Sequence, residues 1–249
     1  MQFINFRLLA TGALVVLFAW NCNKSASTAP EEPTGSISVN IASLDEFGAA
    51  FSTKAGVTVT VSGGGQVVSN STDANGDATF TGLKYAAYTV TAQKTGFETF
   101  SGDNYALSSD NQGWFISRSI TQLPTVTVDS LAATVNATLQ QVLVGGKFST
   151  ATPSGKNRYY VLYFGNAAVN HSLSAHQYSS DFGTFGSTTF TSSNVYTSLK
   201  SNGFTSGGTV YVTARAASHP NGFTDATTGR FVYTAIETLS TLKKSFVLP

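Results

Sequence analysis

The 249-residue chain has one cysteine, so no internal disulfide can organise its fold. Charge is also scarce: 11% of residues carry it, and the formal net charge is +1. A balance so close to zero argues against a nucleic-acid partner and against electrostatic docking on a membrane. Histidine occurs three times, as His171, His176 and His219. Zinc asks for three or four nitrogen, sulfur or carboxylate ligands, and this spacing specifies no such set. There is no Gly-x-Ser-x-Gly elbow to present a nucleophilic serine. The longest apolar run, Leu8 to Trp20, is too short to cross a hydrocarbon layer about 30 Å thick.

The N-terminus reads as an export signal. Arg7 supplies the positive flank and Leu8 to Trp20 the apolar centre, which ends at Asn21. Cys22 follows where a bacterial lipoprotein signal places its acylated residue. Asn23-Lys24-Ser25 and the Pro-containing stretch to Thr34 resemble the tethers of Bacteroidetes-type surface lipoproteins. The expectation is a signal peptide over 1–21 and a tether over 22–34, with lipid on Cys22. Attachment to the outer membrane or cell surface would then come through acyl chains. Cleavage would remove Arg7 and leave 13 basic side chains against 13 acidic ones.

Beyond the tether the chain is rich in Ser, Thr and 23 glycines, and 41% of it is hydrophobic, enough for a packed core. Ile37, Val39 and Ile41 alternate with polar residues, and so do Val57, Val59 and Val61, as half-buried strands require. Ser62 to Gly65 and Ser108 to Gly113 read as loops. Asn75-Gly76 is the dipeptide favoured in type I′ turns, so a hairpin is expected there. Ala78 and Phe80, then Tyr88, Val90 and Ala92, continue the alternation. Gly56 to Val61, Thr72-Asp73, Gly76, Phe80, Leu83, Tyr88 and Gly96-Phe97 together resemble the carboxypeptidase regulatory-like family. Ala87 and Phe97 stand where that pattern usually has Gly and Tyr. The resemblance implies a seven-stranded transthyretin-like sandwich over 35–121 and is silent on function.

A second pattern starts after Leu123-Pro124. Val126 and Val128 alternate with Thr. Arg158 to Phe164 is aromatic on both faces, and Thr209 to Ala217 sets Val210, Val212 and Ala214 on one side. Asn194 to Ser201 reads as a short helix with Ser193 as its cap. The closing strands, Tyr211 to Ala217 and Arg230 to Tyr233, resemble those of fibronectin type III-like domains. The expected fold class is therefore all-β, with two β-sandwich domains, 35–121 and 122–249.

Candidate chemistry is sparse. Asp73, Asn75 and Asp77 could offer oxygens to Ca²⁺, but Gly76 precedes the third and Lys84 fills the distal position, so a turn is the better reading. No metal and no cofactor are expected. Trp114, Tyr159, Tyr163 and Tyr178 are candidates for stacking on sugar rings, against the alternative that they pack inside. Asp129-Ser130-Leu131 resembles a short O-glycosylation motif of Bacteroidetes envelope proteins. No acid–base pair or nucleophile stands out, so an enzyme is not expected. The expected function is a non-catalytic, lipid-anchored cell-envelope protein with a binding or structural role. The alternative is a carbohydrate-binding accessory of a glycan uptake system. Its partners would be the membrane and a glycan or envelope protein.

Overall fold

A computed structural model describes residues 32–249, except 168–177, 186, 219–221, 225–228, 230 and 238–241. The fold is all-β. Its single short helix among the described residues is α1 (Tyr196–Ser201). No described helix is long and apolar enough to cross a membrane.

Seven strands make the first half: β1 (Thr34–Leu44), β2 (Thr58–Gly63), β3 (Gln66–Ser71), β4 (Asp77–Lys84), β5 (Ala87–Gln93), β6 (Phe100–Ala106) and β7 (Gly113–Thr121). They form two sheets, ordered β4-β1-β7 and β3-β2-β5-β6. β1 runs antiparallel to β4 and parallel to β7. Period-two alternation turns Ile37, Val39, Ile41, Val57, Val59, Val61, Phe80, Tyr88 and Val90 into one shared core.

The expected type I′ hairpin at Asn75-Gly76 is not there. β3 and β4 lie in different sheets, so residues 72–76 form a crossing between sheets. Gly76 has φ +90°, whereas Asn75 is not in the positive-φ region. The turn is held by Asp73, whose Oδ1 accepts the backbone N–H of Asn75 and of Asp77, each at 2.9 Å. The type I′ geometry sits instead at Gly64 (φ +56°) and Gly65 (φ +73°), between β2 and β3. The stretch expected as a loose loop, Ser62 to Gly65, is thus a tight hairpin. Only glycine suits Gly63, because a Cβ there would sit 2.3 Å from the Ala87 carbonyl oxygen.

The second half comprises β8 (Val128–Asn136), β9 (Gln141–Phe148), β10 (Asn157–Gly165), β11 (Tyr178–Phe185), β12 (Thr189–Val195), then α1, β13 (Thr209–Ala217), β14 (Gly222–Thr224), β15 (Phe231–Tyr233) and β16 (Lys243–Val247). The main sheets are β12-β9-β8 and β11-β10-β13-β16. Val142, Val144, Phe148, Tyr160, Leu162, Phe164, Val210 and Val212 fill the space between them. β10 is buried on both faces. Val161 and Tyr163 point away from that core and pack with Ala217, Tyr233 and Ile236, so the segment around β15 covers the outer side of the sheet. The helix begins two residues later than its sequence suggests: Ser193 and Asn194 belong to β12, and Val195 caps α1 without a side-chain hydrogen bond.

The two cores meet no common cluster, and a polar joint connects the halves. Glu46, just after β1, accepts from the Thr125 N–H (3.0 Å) and Thr125 Oγ1 (2.7 Å). It also pairs with Arg158 at 3.2 Å, and only 4% of the Arg158 side chain is exposed. Glu98 accepts from the Thr121 N–H and from Thr234 Oγ1. Ser218 Oγ donates to the Gln122 carbonyl at 2.6 Å.

Burial also sets a pH response. Burial pushes the Tyr160 hydroxyl up to about 12, partly offset by a hydrogen bond with Ser192. Burial raises Tyr163 further, against the nearby Arg215 charge. In the unfolded chain a tyrosine ionises near pH 10. A raised folded-state value means stability is complete below about pH 10 and is lost as pH rises beyond it. Tm should therefore be flat from about pH 7 to 9 and fall steeply from about 10 to 12. The Tyr160→Phe variant should show a shallower alkaline fall, and a slope equal to wild type would contradict this.

Candidate functional site

The outward face of β3-β2-β5-β6 presents its side chains in a regular pattern. Inside, Val57, Val59, Val61, Tyr88, Val90 and Ala92 are buried. Their neighbours in sequence must face out. Register then lines up three rows: Ser71, Thr58 and Gln93; Ser69, Thr60 and Thr91; Val67, Ser62 and Thr89. Ser101 of β6 extends the middle row beside Thr91. Nine of these ten side chains end in a hydroxyl or an amide, and none is charged. Thr60 and Ser69 hydroxyls bond each other at 2.8 Å. Rows follow each other at about 7 Å along a strand and about 5 Å across strands.

At one end this array opens into a cleft of about 540 Å³, lined by Gly56, Thr58, Gln93, Lys94, Thr95 and Thr99. Gly56 has φ +80° and nothing within 4 Å of where a Cβ would be, so the space above it is open. Lys94 is half-buried. Its ammonium donates to the Ala55 carbonyl at 3.3 Å and lies 5.1 Å from the centre of the Phe97 ring. Among the described residues no carboxylate pairs with it. A second, smaller cavity of about 120 Å³ lies by Leu123, Pro124, Val126 and Glu237, and is mainly apolar.

The described aromatics among those proposed from sequence, Trp114, Tyr159 and Tyr163, do not form one ligand-facing set. Trp114 is 37% exposed, but its Nε1 donates to the Ala106 carbonyl at 2.8 Å and its ring stands edge-on to Tyr105. Tyr163 is fully buried in the layer beneath β15, which removes it from any ligand-facing set. Tyr159 is partly buried against the same layer. The Tyr178 side chain lies outside the described residues, as do His171, His176, His219 and Cys22. Phe115, next to Trp114, is 69% exposed.

Asp73 Oδ1 and Asp77 Oδ1 both accept hydrogen bonds, and so does the Asn75 backbone carbonyl, from Asn40 Nδ2 at 3.3 Å. Asp73 serves the turn, and the backbone N–H of Asp77 chiefly holds its carboxyl below the usual range. The Asp77 Oδ1 accepts from Asn40 Nδ2 at 2.6 Å. Ser130 sits at a register shift in β8, on an exposed stretch.

What sequence reading missed is the hydroxyl array. Its signal is the strict alternation in Val57-Thr58-Val59-Thr60-Val61-Ser62 and Tyr88-Thr89-Val90-Thr91-Ala92-Gln93. The Gly64-Gly65 turn sets the register of β2 with β3, whereas β2 with β5 is a pairing between strands distant in sequence, and neither register is visible in one strand alone.

No protein-family model matches the chain, and no curated protein does. Among solved structures it is similar to a "putative carbohydrate binding protein" from Bacteroides uniformis, at 16% identity and a TM-score of 0.30, over 87% of this chain and 100% of that one. A DUF3823 family protein from Parabacteroides merdae aligns at 11% identity and a TM-score of 0.29, over 82% and 98%. BcpA, the major pilin subunit of Bacillus cereus, aligns at 14% identity and a TM-score of 0.28, over 85% and 67%. At such TM-scores none of these carries an argument about this chain.

Proposed function

We propose that this is a non-catalytic, lipid-anchored cell-envelope binding protein. The observation that carries the reading is the uncharged hydroxyl array continuous with the Lys94 cleft. Such a surface supplies many hydrogen bonds in fixed rows, which suits holding a ligand. The cleft lining offers Thr, Gln, Gly and Lys, with no carboxylate pair or activated nucleophile among them. The same array favours the second reading, a carbohydrate-binding accessory, because hydroxyls and amides match a polyhydroxylated partner.

The reading divides the body into two modules, 35–121 and 122–249. Seven strands with β1 parallel to β7 support the carboxypeptidase regulatory-like assignment of the first. The orders β12-β9-β8 and β11-β10-β13-β16 support a fibronectin type III-like second module, with β14 and β15 as an insertion before the last strand. Cys22 supplies the anchor, with the signal before it and the tether from it to Thr34. If Cys22 carries acyl chains, Cys22→Ser should move the protein from the membrane fraction to the soluble fraction on cell fractionation. Undiminished membrane association of that variant would refute lipidation.

A further inference from the structure

We infer that the cleft at Gly56–Thr99, with the hydroxyl array leading into it, binds an acidic polysaccharide, and that Lys94 selects its carboxylate. The inference rests on the binding reading above and names the ligand class of the same site.

The first element is charge. Lys94 is half-buried, held by the Ala55 carbonyl and the face of Phe97, and lacks a carboxylate partner among the described residues. Those two contacts fix where the ammonium sits and leave its charge uncompensated. A partly desolvated cation without a counterion favours an anionic ligand. Its other neighbours in the cleft, Thr58, Gln93, Thr95 and Thr99, are neutral hydrogen-bonding groups. One anionic group surrounded by hydroxyls is the pattern of a uronic acid residue.

The second element is extent. The cleft of about 540 Å³ is roomy enough for a sugar residue or two. The rows beyond it continue the same hydrogen-bonding chemistry along β2 and β5 without a charge, so they suit neutral residues that flank the acidic one in a mixed polysaccharide. A nucleic acid would demand several cations along that path, and the array offers none. A protein partner would want an apolar centre, and the exposed apolar side chain in the array is Val67 at its far edge.

The test uses the full-length chain in detergent, with hyaluronan, in which a uronic acid alternates with a neutral sugar, as the acidic probe and dextran as the neutral one, by isothermal titration and affinity electrophoresis. Hyaluronan should bind saturably and dextran should not. Lys94→Met should weaken hyaluronan binding roughly tenfold or more. Because Lys94 also holds the Ala55 carbonyl, Thr95→Glu provides a second variant: it adds a repelling carboxylate to the cleft and leaves the Lys94 contacts intact. It should weaken binding similarly, with Tm unchanged. Dextran bound as tightly as hyaluronan would overturn the acidic specificity while leaving a neutral glycan reading. Hyaluronan binding that neither variant weakens would overturn the assignment to this cleft. Binding of neither polymer would overturn the glycan ligand, while Cys22 fractionation would still decide the anchor.

Discussion

Gly76→Val should destabilise the protein by about 2–4 kcal/mol, summing positive-φ strain and overpacking. Gly76 has φ +90°, where a Cβ crowds the following carbonyl. Its ideal Cβ would also lie 2.4 Å from the Ile41 carbonyl oxygen. That oxygen cannot retreat easily, because Ile41 sits in the central strand β1 and its own N–H donates to the Gly76 carbonyl at 2.8 Å. The crossing from one sheet to the other is thus pressed against the strand it passes. Gly76→Ala removes the β-branching and keeps both the positive-φ strain and the clash. It should cost nearly as much as valine in chemical denaturation. An alanine cost below about 1 kcal/mol would show that the backbones part freely, and that only positive-φ strain acts here. Asp77→Ala should cost far less, since its bond to Asn40 is exposed.

Glu46→Ala should cost about 3–5 kcal/mol, because it strands a buried charge. Arg158 is 4% exposed and its guanidinium lies over the Phe47 and Phe148 rings, 5.2 and 5.8 Å from their centres. Removing the carboxylate leaves that cation in an apolar setting and frees the N–H and hydroxyl of Thr125. The double variant Glu46→Gln with Arg158→Met removes both charges, and should recover most of the loss. The joint lies between two separate cores, so the calorimetric trace is informative too. In wild type the halves should melt together, and in Glu46→Ala the first should separate from the second into two transitions. A single undivided transition in Glu46→Ala, with Tm unchanged, would show that the joint does not couple them and that the boundary near 121 is misplaced.

Much of this architecture was legible because burial in a sandwich has period two. Ile37, Val39 and Ile41, or Val210, Val212 and Ala214, announce their strands and inward faces by alternation alone. The two-faced aromatic run Arg158 to Phe164 announced a strand, but not that both its faces are covered. What alternation leaves open is partnership. Asn75-Gly76 has hairpin chemistry, yet the strands on either side belong to different sheets, and nothing local says so. Ser62 to Gly65 has loop composition, yet Gly64-Gly65 is the hairpin that fixes register. The same gap explains the surface residues. An aromatic is informative only once its face is known, and Tyr163 faces a covered layer. The threonines of β2 and β5 carried no distinguishing signal until pairing placed them in rows.

The parallel pairing of β1 with β7 has a mechanical consequence. The first half is entered at Thr34, where β1 begins, and left at Thr121, where β7 ends. Because the strands run the same way, tension between those two points slides one along the other. Register joins them continuously from Ser36 with Gly113 to Leu44 with Thr121. Evenly spaced hydrogen bonds along that seam bear load together and do not open one by one. A force applied between the tether and the second half is therefore met in shear, the stronger geometry for a sheet under pull.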